Sequence, residues 1–254
     1  MTVKRTISLI GIIALAVVIG FFAASCGDGG DSGGGGGGGG SAFLGETLTL
    51  SGQVYLQKYT ETSITYQKFN GDLAIDDYYY GGSGEIKKGM FSYTIGTPNH
   101  LDTFDIDQSF NEDNYNDITV SNPNVSGVIL SGFSTGDDNY SYLSKSNATG
   151  SRNSKGFSVT NESVYYVYVD SEVTISGKGK TGTYNHTEDG MSYSSTYTTK
   201  NFSLALKTGW NAVYSKRTGS ATITGTVYKV TETEAMSLGN PSLKWILRVD
   251  EDED

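Results

Sequence analysis

One thiol, two imidazoles and a dense run of carboxylates are the residues of this 254-residue chain with the widest chemical scope. The thiol, Cys26, is the only cysteine, so no disulfide can form within the chain. The histidines, His100 and His186, are too few for a His/Cys metal centre, which gathers several such ligands. A Ser-His-Asp arrangement would have to use one of them, and neither has a nucleophile elbow beside it. His100 follows Pro98 in a loop, and His186 sits in GTYNHTEDG, which reads as a hairpin tip. Both are taken as loop histidines. The acidic stretch DTFDIDQSFNEDNYND, residues 102–117, could offer oxygen ligands to a hard cation. It fails as an EF-hand, because counting from Asp107 puts Glu112 where the loop needs glycine. That leaves an acidic loop, with calcium as the alternative. Glycoside hydrolysis needs two carboxylates facing each other across a cleft, and nothing in the sequence singles out such a pair. No catalytic residue, metal site or cofactor is therefore assigned.

Aromatic side chains could instead make a binding platform. Tyr78, Tyr79 and Tyr80 are consecutive, and Trp210 follows Gly209 at an expected turn where it would be exposed. Those four are the candidate binding surface for a protein or a glycan. Trp245, between Leu243 and Leu247, reads as core.

The setting of Cys26 gives the chain an address. Lys4 and Arg5 precede an apolar run from Ile7 to Ala24, and the small residues Ala23, Ala24 and Ser25 lead into the cysteine. This pattern resembles a bacterial lipobox, with alanine at Ala23 where leucine is commonest, a looseness seen in spirochaete lipoproteins. The resemblance implies cleavage after residue 25 and acylation of Cys26, which would make membrane lipid a partner. A retained transmembrane helix is the alternative, since the apolar run is just long enough to span a bilayer. The Gly/Asp/Ser segment that follows buries nothing and reads as a flexible tether within residues 26–45. Gly27, rather than an acidic residue, follows the cysteine, which points to the outer membrane or cell surface. Removing residues 1–25 takes away two basic residues and no acidic one, leaving 16 basic against 28 acidic. A body this acidic repels phosphate backbones, so nucleic acid is excluded as a partner. The acidic tail, residues 250–254, reads as a solvated end.

The body that must position any site is β-rich. Short segments alternate apolar and polar residues between Gly, Asn, Asp and Ser, as in TLTLSGQVYLQ, MFSYTI, NFSLALK and SLKWILRV. They predict an all-β fold, an antiparallel β-sandwich. VYYVYV, residues 164–169, is bulky at both alternating positions and reads as a central strand. TLSGQVY and TITGTVY match at four positions, which could mark two related modules or only shared strand composition. SGQVY together with GMFSYTIGTP resembles transthyretin-like or carboxypeptidase-regulatory-like modules. The second half is similar to uncharacterised Treponema-type lipoproteins. Neither resemblance implies an activity. SKSNATGSRNSKG, residues 144–156, lacks strand character and reads as the seam between modules at 46–146 and 147–249, unless one large sandwich spans both. The expected function is that of a lipid-anchored cell-envelope protein, non-catalytic, contacting an envelope or host protein or a glycan. A carboxylate-dependent glycoside hydrolase or a purely structural lipoprotein are the alternatives.

Overall fold

The computed structural model describes residues 41–60, 62–76, 80–103, 115–135, 141–188 and 190–249. Cys26 and the tether to residue 40, Tyr78, Tyr79, most of the acidic loop and the acidic tail lie outside them.

The described residues form strands and turns without a helix. The first half contains β1 (Phe43–Gly45), β2 (Leu48–Tyr59), β3 (Ile64–Lys68), β4 (Leu73–Asp76), β5 (Ser83–Lys87) and β6 (Met90–Ile95). There follow β7 (Asp102–Thr103), β8 (Tyr115–Val120), β9 (Ser126–Leu130) and β10 (Phe133–Thr135). Long strands dominate the rest: β11 (Ser141–Asn153), β12 (Gly156–Val169), β13 (Val173–Gly179), β14 (Thr181–Glu188) and β15 (Met191–Thr199). The chain closes with β16 (Phe202–Leu206), β17 (Gly209–Thr224), β18 (Val227–Leu238) and β19 (Lys244–Val249).

Local chemistry explains several of these elements. The β5–β6 hairpin turns on Lys88 and Gly89, both at positive φ (49° and 73°), as a two-residue turn compatible with strand twist requires. A Cβ on Gly89 would also sit 1.8 Å from the Phe69 carbonyl oxygen. In β2 the alternation carries Leu48, Leu50 and Val54 inward, and Gly52 lies beneath the Trp245 indole. There a Cβ would come within 2.7 Å of the ring. The close approach expected of a glycine inside a strand is thus realised at Gly52. In the matching heptad, however, Gly225 is a turn residue at φ 61° between β17 and β18. The two heptads are alike in sequence, and their glycines play different local roles.

Seven strands close on themselves in the order β10-β4-β5-β6-β2-β19-β11, with β11 returning to β10. A ring with an odd number of strands cannot alternate direction all the way round. The single parallel contact is β2 with β19, where Trp245 sits opposite Val54. One core cluster fills this end: Phe91, Tyr93, Phe133, Leu143 and Trp245 from the ring, with Tyr166, Tyr168 and Trp210 from β12 and β17. Phe91, Phe133 and Trp245 pack ring to ring, with centroids 4.4–6.2 Å apart.

Strand β12 is central, as the sequence predicts. It pairs with β17 along its whole length on one side, and with β11 and then β9 on the other. Val164, Tyr166 and Tyr168 enter the ring-side core, while Val167 and Val169 enter a second cluster. That second cluster joins the β12–β17–β18 face to a three-stranded sheet, β16-β13-β8, through Ile175, Phe202, Leu204 and Met236. Two sheets facing each other across a shared core make the expected sandwich.

The polar stretch at residues 144–156 corrects the sequence reading. It is strand β11 with its turn into β12, paired residue for residue from Lys145–Val164 to Asn153–Gly156. Its Ser, Asn and Lys side chains look like loop chemistry, but the ladder to β12, itself paired along its length with β17, holds them extended. A boundary between residues 146 and 147 would cut this strand.

Candidate functional site

The long strands continue past both clusters as an arm, β11-β12-β17-β18-β15-β14. Register fixes what its faces carry, because directly paired residues point to the same side. On one face Thr149, Thr160, Thr218, Thr233, Thr198 and Thr181 form an unbroken row across six strands. The next row on that face is Ser151, Ser158, Ser220, Thr231, Thr196 and Thr183. Neighbouring hydroxyls bond across strands, at 3.2 Å for Ser151 with Ser158 and 3.1 Å for Thr181 with Thr198.

At the edge of this face β15 leaves β18 and the chain crosses into β16. The β15 ladder to β18 ends at Glu234, and a cleft of about 670 Å³ opens there. Its walls carry Thr181, Thr199, Lys200, Asn201, Tyr214, Lys216 and Ser237. The Tyr214 hydroxyl donates to Glu162 Oε1, and Lys216 Nζ stands 4.0 Å from that same oxygen. Burial and this bond push the Tyr214 phenol above its ordinary range. The volume is that of a small-molecule cleft, and its lining mixes apolar surface with hydroxyl, amide and two ammonium-bearing side chains.

The opposite face carries a different set. Arg217 donates from Nε and Nη2 to Glu232 Oε2, at 3.1 and 2.7 Å, and its guanidinium lies 5.2 Å from the Tyr197 ring centroid. Glu234, 4% exposed, accepts from the Tyr197 hydroxyl and, at 3.4 Å, from Ser215 Oγ. Burial outweighs these bonds and raises the Glu234 carboxyl above its ordinary value. Toward the hairpin tip, His186 stacks on Tyr193 at 4.6 Å and 7°, flanked by Tyr184 and Tyr228. Burial pushes the Tyr228 phenol up to about 12.

Of the sequence-derived platform, the structure describes Trp210 and Tyr80, and neither is an exposed ring. Trp210 is fully buried, with its Nε1 donating to the Gly96 carbonyl at 2.8 Å. Gly209, at φ 103°, lets the strand enter the core, and β1 lies directly beside it with Gly45 opposite Trp210. A turn before a tryptophan therefore did not mean exposure. Tyr80 is half-buried against the ring-side core, 3.4 Å from the Ile129 carbonyl oxygen. His186 belongs to β14, three residues before the turn rather than at its tip. Its stack on Tyr193 was within reach of sequence reasoning, since counting back from Asp189-Gly190 as a two-residue turn pairs the two. The parallel partner Tyr228 had no such signal. Glu162 and Glu234 stand on opposite faces of the sheet and do not confront each other as a hydrolytic pair. Among the described residues no three His, Cys, Asp or Glu side chains gather into a metal-binding group. No protein-family model, curated protein or solved structure matches the chain.

Proposed function

We propose that this protein is a lipid-anchored cell-envelope binding protein, held by acylated Cys26, that takes a saccharide segment in the cleft beside β18. The observation that carries the reading is the cleft lining. Hydroxyl- and amide-bearing Thr181, Asn201, Tyr214 and Ser237 line the cleft together with Lys200 and Lys216, on a chain that is otherwise strongly acidic. Hydroxyls and amides match the alternating donors and acceptors of a sugar, and the two lysines favour one bearing carboxylates. The carboxylate nearest the lining, Glu162, is held by the Tyr214 hydroxyl and lies 4.0 Å from Lys216 Nζ, and the cleft is read as binding a sugar.

The test is calorimetric titration with uronic-acid oligosaccharides and neutral ones of equal length. Acidic sugars bind the wild type, and Lys216→Gln or Lys200→Gln each weakens them about tenfold, the scale of one charge-assisted hydrogen bond. Equal binding of neutral sugars, or no binding of either kind, refutes the reading. Changing Cys26→Ser tests the anchor separately: the protein moves from the detergent phase to the aqueous phase and loses lipid labelling.

A further inference from the structure

Strand β14 ends the arm, and all eight of its residues are exposed. Among the described residues its ladder partner is β15 alone. Thr181 to Thr187 contain no Pro, Lys, Asp or Glu, the residues that usually guard a sheet edge against further pairing.

The groups this edge offers can be read from the register. Glu188 and Met191 close a two-residue turn, so they are a hydrogen-bonded pair, and bonded and non-bonded pairs alternate away from it. The even positions of β14 thus bond inward to β15. At the far end Thr199 N–H donates to the Lys180 carbonyl at 2.8 Å, in phase with that alternation. Thr181, Thr183, Asn185 and Thr187 therefore turn their N–H and C=O groups away from the sheet.

We propose that β14 pairs antiparallel with β14 of a second copy about a two-fold axis through Tyr184. Odd residues must meet odd residues for the outward groups to bond, which places the axis on a residue rather than between two. Centred on Tyr184, Thr181 meets Thr187 of the second copy, and Thr183 meets its Asn185. The same register sets Lys180 opposite Glu188 of the second copy, twice. Centring on Asn185 would instead set Lys180 opposite Gly190. A parallel partner would put like charges side by side. The charges at the two ends of the strand thus select both the direction and the register. Tyr184, 66% exposed on the lone chain, faces its own symmetry mate as a cross-strand aromatic pair.

Sedimentation velocity over a concentration series tests this, with the full chain in mild detergent. The wild type shows a concentration-dependent dimer. Lys180→Glu alone or Glu188→Lys alone weakens it about tenfold or more, because each sets two like-charge pairs against each other. The double swap K180E/E188K restores the dimer, and mixing the two single variants gives a heterodimer. Thr183→Pro removes an outward N–H without touching the bonds to β15, and it gives a monomer with unchanged circular dichroism. A monomer at every concentration overturns the proposal. So does a dimer indifferent to the swaps and to the proline, or occupation of the edge by a different protein in place of the second copy.

Discussion

The two ends of β12 have the same backbone pairing and opposite environments. From Val164 to Val169 its side chains are packed on both faces, into the ring-side core and into the sandwich core. From Gly156 to Ser163 it is paired just as fully, yet Ser158 is exposed and Thr160 half-exposed on the hydroxyl face. Hydrogen bonds are thus common to both regions, and burial is what differs. The ring end is held by side-chain packing. The arm is held by its ladder and by the smaller cluster of Phe157, Val159, Ala221 and Tyr228. Substitutions should separate the two regions sharply.

The largest effect is expected at the ring end. Trp210→Ala or Tyr166→Ala should cost about 3–5 kcal/mol in urea unfolding, the loss of a large buried side chain plus its cavity. Thr218→Ala on the arm should stay within about 0.5 kcal/mol. Similar losses at both places would break the comparison. Tyr166→Phe sharpens it. The Tyr166 hydroxyl is buried without a hydrogen-bond partner among the described residues, and burial raises its pKa. Removing that oxygen should leave stability unchanged or raise it by about 1 kcal/mol, since no bond is lost and a desolvated group is removed. Destabilisation by the phenylalanine would mean that the hydroxyl has a partner.

Glycine substitutions come next. Gly52→Ala drives a methyl against the Trp245 indole and should cost about 1–3 kcal/mol by overpacking. At Gly225 a Cβ meets open space, so Gly225→Ala carries only the strain of positive φ, about 1 kcal/mol. Equal costs would mean that the matching heptads play equivalent roles after all.

The smallest expected effect is a slope. Glu234 has its folded-state pKa raised by burial above the ordinary 4.5, against the lowering influence of Tyr197, Arg217 and Ser215. Below the unfolded-state value the carboxyl is protonated in both states. As pH climbs from there through the folded-state value the unfolded chain ionises first, and stability falls. Glu234→Gln should remove that fall while keeping an acceptor for Tyr197, so the two stability-against-pH curves converge at low pH. Curves that run parallel across the acid range would show that Glu234 ionises as easily folded as unfolded.

Much of the fold was legible because alternation and turn chemistry are local. MFSYTI reads as a strand that alternates apolar and polar residues, and its alternate residues are found buried. VYYVYV reads as central because both of its faces are bulky, and both are covered. Long-range features left no such mark. Nothing in SLKWIL says that it lies parallel to residues near the start of the body, and nothing in SKSNATGSRN says that it is extended. Those outcomes are decided by neighbours distant in the chain. The cleft was invisible for the same reason: Lys200, Tyr214 and Ser237 converge only because β15 departs from β18 after Thr199.

The parallel contact between β2 and β19 also sets a clock. Among the described strands β2 is near the start and β19 comes last in chain order, so the ring stays open until Lys244–Val249 has emerged. Until then the ring edges of β2 and β11 lack their common neighbour, and Val54, Leu143 and Tyr166 wait for the indole of Trp245. Contacts so far apart in the chain make closure slow. A chain made N-terminus first would hold its apolar interior ajar until Lys244–Val249 joined it.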